Sequence, residues 1–354
     1  MAAFWTEADW DEHEQVELVH DRESGLTAII ALHSTHLGPA AGGTRFWHYA
    51  DPSAAMRDAL RLSRGMSYKN AMAGLPMGGG KAVVLLDENR TKTPEMLAAF
   101  GKAVNDLCGR YVTAEDVGAS ERDMVEISRQ TIHVCGLPVE EGAVGGDPGP
   151  FTAMGIFLGI KAAVAHRLGR ADLDGVRIAL QGCGSVGGGV ARLAASEGAV
   201  LKVSDIDSVR AQDLAAQIGG EAISPDAIMS TECDVFSPNA LGAILDERTI
   251  PTLNCAIVAG GANNQLFRAE HGKLLAERGI LYAPDYVINA GGIIDVGLEY
   301  LGRRDGKPYS MDDLRERIGQ IPDRLTAIWR ESEETGISAD AVADRMAQRL
   351  IGRG

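Results

Sequence analysis

The chain has no excess of basic charge. It sets 34 lysines and arginines against 49 acidic residues, for a formal net charge of −15 and a pI near 5.0. The acid is dispersed, with no block of like charge. This excludes a nucleic-acid partner, which needs a basic face. Cysteine is also scarce. Cys108, Cys135, Cys183, Cys233 and Cys255 are odd in number, far apart and never in a Cys-x-x-Cys pair. Neither a disulfide framework nor a metal site is expected, and the thiols read as core residues in a reducing compartment. The opening Met1-Ala-Ala-Phe-Trp-Thr-Glu-Ala-Asp-Trp lacks the basic start and apolar run of a secretory signal. No apolar run is read as long enough to span a membrane. These absences lead to the expectation of a cytoplasmic protein without a membrane partner.

What is there is ordinary globular material. The 354 residues are 45% hydrophobic and 23% charged, enough for two domains with sizeable cores. Glu17-Leu-Val-His20 and Thr27 to His33 flank a turn at Asp21 to Gly25 and read as a hairpin. Asp51-Pro52-Ser53 opens a helix through Met56, Leu60 and Met66, and Thr93-Pro94 opens another through Phe100 and Val104. Lys81-Ala-Val-Val-Leu-Leu86 and Tyr111-Val-Thr-Ala114 read as strands. Residues 136 to 151 are dense in glycine and proline, which marks a domain boundary. Beyond them an apolar helix leads into strand and helix patterns that alternate from Val176 to Ala283, the signature of a doubly wound parallel sheet. The expected organisation is α/β. A first α/β domain for substrate and oligomerisation covers 1–146, and a Rossmann domain covers 147–321. The helices at about 322–354 are expected to return to the first domain.

Gly182-Cys-Gly184-Ser185-Val186-Gly187 follows a strand and precedes a helix, and Asp205 ends the next strand. That context turns a weak motif into a dinucleotide site, with pyrophosphate on the helix N-terminus. A carboxylate at Asp205 would bond the ribose hydroxyls and repel a 2′-phosphate, which favours NAD over NADP. Gly187-Gly-Gly189 should weaken the start of that helix.

Lys69 and Lys81 bracket Asn-Ala-Met-Ala-Gly-Leu-Pro-Met-Gly-Gly-Gly, read as a flexible turn where a small anion could approach the backbone. A phosphate loop is excluded, because Leu75 and Ala82 stand where it needs glycine and Ser or Thr. A lone lysine is ordinarily a solvated surface residue. Lys81 departs from that because it leads into an apolar strand. Two cations in one desolvated pocket make one of them easy to deprotonate. Asp116 closes the strand at Thr113-Ala-Glu-Asp, where ligands of α/β sheets gather.

These segments resemble the Glu/Leu/Phe/Val dehydrogenase family. The resemblance runs through Leu37 to Arg45, Met66 to Lys69, Gly78 to Lys81, Thr113 to Gly118, Gly182 to Gly187, Gly261 to Gln265 and Tyr282 to Gly292, and is nearer the leucine, valine and phenylalanine branch. It implies reversible NAD-dependent oxidative deamination of an L-amino acid to a 2-oxo acid and ammonia, in a homo-oligomer whose active site lies in a cleft between domains. By resemblance Lys69 holds the substrate carboxylate with the Gly42 and Gly43 backbone, Lys81 is the general base, and Asp116 shuttles a proton. Asn263 would lie between nicotinamide and substrate, with Thr152, Asn239 and Asn289 near the cofactor. The side-chain pocket would be Ala41, Met66, Ala114, Ile293 and Val296, all apolar. Asn239 stands where relatives often carry cysteine, and Asp147-Pro148 departs from the usual hinge sequence. The alternatives are a non-catalytic NAD-binding sensor or assembly protein on the same fold, and a hydroxy-acid dehydrogenase. The latter would want a catalytic histidine, and His133 reads as a packed residue instead.

Overall fold

A computed structural model describes residues 4–89, 91–140 and 142–353. The chain divides into two compact units. The first holds 1–147, 295–314 and 347–354, and the second 148–294 and 315–346.

The first unit is built on a mixed sheet. Its strands are β1 (Gln15–Asp21), β2 (Leu26–Ser34), β3 (Ala40–Trp47), β4 (Gly78–Leu85) and β5 (Tyr111–Glu115), in the spatial order β1-β2-β4-β3-β5. The hairpin is as read, with Asp21 opposite Leu26. β2 and β4 are antiparallel, whereas β3 lies parallel to both β4 and β5. Three helices accompany the sheet: α1 (Pro52–Met72), α2 (Pro94–Asp106) and α3 (Glu121–Ser128). Asp51 and Thr93 cap the first two, each side chain accepting from a backbone N–H of the first turn. Alternation along β2 and β4 feeds two cores. Ile29, Ala31 and Val83 pack with Ala55, Ala59 and Leu60 of α1. Ile30, Leu32, Ala82 and Val84 pack with Phe100 and Val104 of α2.

The glycine stretch differs from the turn read from the sequence. Gly78, Gly79 and Gly80 lie inside β4. A Cβ on Gly79 would overlap the Ser67 amide nitrogen of α1, and one on Gly80 would sit 2.8 Å from the Tyr111 ring. Glycine is needed because α1 crosses this strand almost in backbone contact, not because the chain bends there.

The second unit opens with α4 (Gly149–Leu168) and a parallel sheet of β6 (Arg177–Gln181), β7 (Val200–Ser204), β8 (Glu221–Ala222), β9 (Val235–Pro238), β10 (Ile257–Val258) and β11 (Leu281–Tyr282). Their order, β11-β10-β9-β6-β7-β8, is doubly wound. The helices α5 (Ser185–Ser196), α6 (Ser208–Ile218), α7 (Glu270–Glu277) and α8 (Asp285–Ile288) lie among these strands in sequence. Phe236, Val258, Leu275 and Tyr282 centre one core. β8 went unread because Glu221–Ala222 is not part of an apolar run, unlike the equally short β10 and β11.

α4 corrects the reading that no segment reaches membrane-spanning length, since its 20 residues are long and apolar enough to cross one. It is a core helix of this unit. A Cβ on Gly155 would meet Ile321, and one on Gly159 would meet Ile288, so neighbouring side chains fill the notches those glycines leave.

The chain closes with α9 (Gly291–Asp305), α10 (Met311–Ile318), α11 (Ile321–Thr335) and α12 (Ala339–Leu350). The returning segments are 295–314 and 347–354. Most of 322–354 stays with the second unit instead. Trp329 of α11 is buried there, its indole N–H donating to the Tyr282 carbonyl at 2.9 Å.

Candidate active site

In the first unit the middle strands deliver charge to one place. Lys81 stands on β4 with 5% of its surface exposed. Its Nζ lies 2.8 Å from Oδ2 of Asp116, the residue after β5. Arg45 of β3 donates from Nε to the same oxygen at 3.0 Å. The Arg45 Nη1 reaches Asp58 of α1 at 2.8 Å, and Tyr49 donates its hydroxyl to Asp58 at 2.8 Å. Arg61 binds the other Asp58 oxygen at 3.1 Å.

Small residues let these groups converge. Gly42 pairs with Thr113, and Gly43 with Ala114. Any Cβ on Gly43 would lie 2.9 Å from the Asp116 Cβ, and one on Gly42 would lie 3.0 Å from the Met66 side chain. Ala41 pairs with Gly79. Lys69 is half-buried on α1, between two residues that touch β4. Ser67 faces Gly79, and Asn70 donates to the Gly78 carbonyl at 2.6 Å. Val296 lies on α9 beside Gly297, which packs on Leu75 and Met77.

Burial drives the Lys81 ammonium below the ordinary lysine value. Asp116 opposes this, and Arg45 adds to the depression. Burial alone would raise Asp116, but Lys81 and Arg45 outweigh it and hold the carboxyl below the usual range. The outcome is a lysine poised to lose its proton beside a carboxylate that stays ionised.

The second unit forms a nucleotide-type turn at the end of β6. Gly182 has φ +93°, and a Cβ there would crowd Asn239 and Ala240 at 2.8 Å. Gly187 backs onto the Gly182 carbonyl, so only glycine fits. Gly184 caps α5 without a side-chain bond, and open space surrounds the place where its Cβ would be. Ser185 and Val186 supply the first amides of the helix. Uncapped amides at a helix start suit an anion. A cleft of about 540 Å³ lies against this turn, lined by Pro150, Cys183, Gly184, Ser185, Arg192 and Arg210 among others.

Asp205 follows β7. Its Oδ2 accepts the Cys183 N–H at 2.7 Å, its Oδ1 the Asp207 N–H at 2.9 Å, and Arg210 lies 3.3 Å from Oδ1. Burial raises this carboxyl, but the two amides and Arg210 prevail and hold it low. A carboxylate has lone pairs beyond these bonds, enough for a ribose diol. Asn239 accepts the Gly261 N–H at 2.8 Å, and Asn289 donates to Asn263 at 2.8 Å and to the Gly261 carbonyl at 3.2 Å. Thr152 donates to the Pro148 carbonyl at 2.9 Å and abuts Gly292. These residues fit a dinucleotide.

The structure thus gathers Lys81, Asp116, Ala41, Gly42, Gly43, Met66 and Ala114 in the first unit. It gathers the glycine turn with Asp205 and Asn239, and joins Asn239, Asn263 and Asn289 through Gly261, in the second. Ile293 belongs to the second unit and Val296 to the first. His133 is half-buried against the Tyr300 hydroxyl at 3.1 Å. Among the described residues no three His, Cys, Asp or Glu side chains converge as a metal site. Sequence reasoning assigned no role to Arg45, Asp58, Arg192 or Arg210. Arg45 and Asp58 meet only because β3 and α1 lie together, and no local spacing announces that. Arg210 could have been found as the basic residue five positions after Asp205.

Fold and site together place the chain among the NAD(P)-dependent dehydrogenases. The comparisons narrow the class. Residues 12–133 match the Glu/Leu/Phe/Val dehydrogenase dimerisation domain, and 209–349 the Glutamate/Leucine/Phenylalanine/Valine dehydrogenase domain. The leucine dehydrogenase of Thermoactinomyces intermedius is 45% identical over 96% of this chain and 91% of that protein. A valine dehydrogenase of Streptomyces albus is 44% identical over 97% and 93%. The crystal structure of L-tryptophan dehydrogenase from Nostoc punctiforme superposes with a TM-score of 0.86 at 42% identity, covering 96% of each chain. The chain belongs to the Glu/Leu/Phe/Val dehydrogenase family and is an amino-acid dehydrogenase.

Proposed function

We propose that the chain catalyses reversible, NAD-dependent oxidative deamination of an apolar L-amino acid to its 2-oxo acid and ammonia. The observation that carries this is the buried Lys81 bonded to Asp116 at 2.8 Å. Bound NAD supplies the hydride acceptor. Lys69 and the Gly42–Gly43 backbone hold the substrate carboxylate. Lys81, neutral, takes a proton from the water that adds to the imine carbon after hydride loss. Asp116 moves the proton carried by the substrate nitrogen. One amino acid, one oxidised cofactor and one water give 2-oxo acid, ammonium, reduced cofactor and a proton.

The charge of Asp205 supports NAD rather than NADP. Ala41, Met66, Ala114 and Val296, apolar residues of the first unit, offer no partner to a glutamate side chain, whose burial there would cost several kcal/mol, roughly. The range is that of apolar side chains, with leucine, valine, isoleucine and phenylalanine as the first candidates. Ala41 opens room toward the larger side chains. The relatives named for leucine, valine and tryptophan support this apolar range. A homo-oligomer in the cytoplasm is proposed with it, in keeping with the dimerisation domain matched at 12–133. The test is reduced-nicotinamide absorbance with a panel of L-amino acids at alkaline pH. Turnover of an apolar member supports the reading. Turnover of glutamate alone, or of none, refutes it.

A further inference from the structure

We infer that Arg45, anchored by Asp58 and Tyr49, is a positioning residue that keeps Asp116 ionised while Lys81 gives up its proton. This rests on the proposed roles of Lys81 and Asp116. Three observations carry it.

First, Arg45 and Lys81 bind one and the same oxygen. Asp116 Oδ2 lies 3.0 Å from the Arg45 Nε and 2.8 Å from the Lys81 Nζ. When Lys81 is neutral, Asp116 would be a half-buried carboxylate beside an amine, and the cheapest relief would be to take up a proton itself. A guanidinium on the same oxygen removes that route, because arginine stays charged throughout.

Second, Arg45 is held by its other edge. Nη1 donates to Asp58 Oδ2 at 2.8 Å, and the same oxygen accepts the Tyr49 hydroxyl at 2.8 Å. Asp58 is fixed in turn by Arg61 at 3.1 Å through Oδ1. The fork is thus pinned between two carboxylates. A lysine could serve one of them at a time.

Third, charged and polar groups reach the pair from several elements packed on it, whereas β2 offers only Ala31 opposite Lys81. β3 gives Arg45, β4 gives Lys81, the end of β5 gives Asp116, α1 gives Asp58 and Arg61, and the segment after β3 gives Tyr49. Tyr111 of β5 donates to the Gly42 carbonyl at 2.7 Å, and burial pushes its hydroxyl up, so it stays neutral. Asp58 also acts on Lys81, favouring its charged form, whereas Arg45 disfavours it. The two residues therefore pull the proton on Lys81 in opposite directions.

The experiment is the pH profile of kcat/KM for the full-length enzyme with its best amino acid. Wild-type turnover is measured first. Its absence refutes the functional reading and this inference with it, and its presence isolates the Arg45 claim. Arg45→Gln keeps a hydrogen bond and removes the charge. Its acid limb should move to higher pH by about one unit, a tenfold loss at acid pH that shrinks as pH rises. Arg45→Lys keeps the charge and should leave the limb in place while lowering kcat. If Arg45→Gln fails to fold, Asp58→Asn carries the test, and its limb should move to lower pH. Equal loss at every pH with an unmoved limb, in either charge-removing variant, overturns the inference. Unchanged KM for NAD in the folded variants places the effect on the lysine pair.

Discussion

Replacing Lys81 separates a base from a fixed positive charge. The side chain is 7% exposed, so bulk water has little access to replace it as proton acceptor. Loss of a positioned general base costs about 10²–10⁴ in rate, or roughly 3–5 kcal/mol of barrier. Lys81→Ala should therefore lower kcat by that range. Lys81→Arg should lower it as far, because arginine keeps a cation near Asp116 but cannot deprotonate. Stability should respond less than rate. Removing one partner of a buried ion pair ordinarily costs about 3–5 kcal/mol because the other charge is orphaned. Asp116 keeps Arg45 at 3.0 Å, so Lys81→Ala should destabilise by only about 1–2 kcal/mol. Wild-type kcat/KM should rise with pH as Lys81 deprotonates, on a limb below the ordinary lysine value, because burial depresses that group. The assays are steady-state kinetics from neutral to alkaline pH, chemical unfolding, and NAD binding by fluorescence, which should not change. Lys81→Arg retaining a tenth or more of wild-type kcat would refute the base assignment.

Other consequences can be checked independently. Asp205→Ser removes the carboxylate proposed to meet the cofactor ribose and leaves Arg192 and Arg210 on the cleft, so the ratio of NADP to NAD kcat/KM should rise at least tenfold in paired assays. Gly79→Ala puts a methyl group into the Ser67 amide and should lower stability by about 1–3 kcal/mol, seen as a reduced thermal midpoint. Asp295 is fully buried, accepts the Gly145 N–H at 2.7 Å, and is pushed up to about 6, mainly by burial. Its folded value lies above the unfolded one near 4, so its contribution is intact below pH 4 and lost as pH rises through 6. Asp295→Asn should therefore stabilise the protein by about 3 kcal/mol at pH 8 and leave it nearly unchanged at pH 4, measured by thermal unfolding at both.

Much of the fold was legible because the second half states it locally. Glycines at 182, 184 and 187 sit between a strand and a helix pattern, and the acid that ends the next strand follows at a fixed distance. Lys81 and Asp116 were singled out in the sequence, and the structure brings them together, but the glycine stretch before Lys81 was misread as shape. Three consecutive glycines look like a turn, yet here they admit the backbone of α1 against β4, a tertiary fact no local pattern carries. The same holds for Arg45, Asp58 and Tyr49. No local pattern marks any of them, and only the packing of β3, α1 and β5 joins them to Asp116. α4 misled the membrane reading in the opposite sense. Its apolar length is real, but glycines at 155 and 159 are notches for Ile321 and Ile288, residues far along the chain. The closing helices were assigned to the first domain because an amphipathic helix does not name its partner.

The central claim is that hydride leaves the α-carbon of an apolar amino acid bound by this chain. Turnover of L-leucine deuterated at Cα, followed by mass spectrometry of the reduced cofactor and the 2-oxo product, tests it most directly. The deuterium should appear in the reduced cofactor, one label per 2-oxo acid formed, with a slowed rate wherever that transfer limits turnover. Deuterium released to solvent, or 2-oxo acid formed without reduced cofactor, would contradict it.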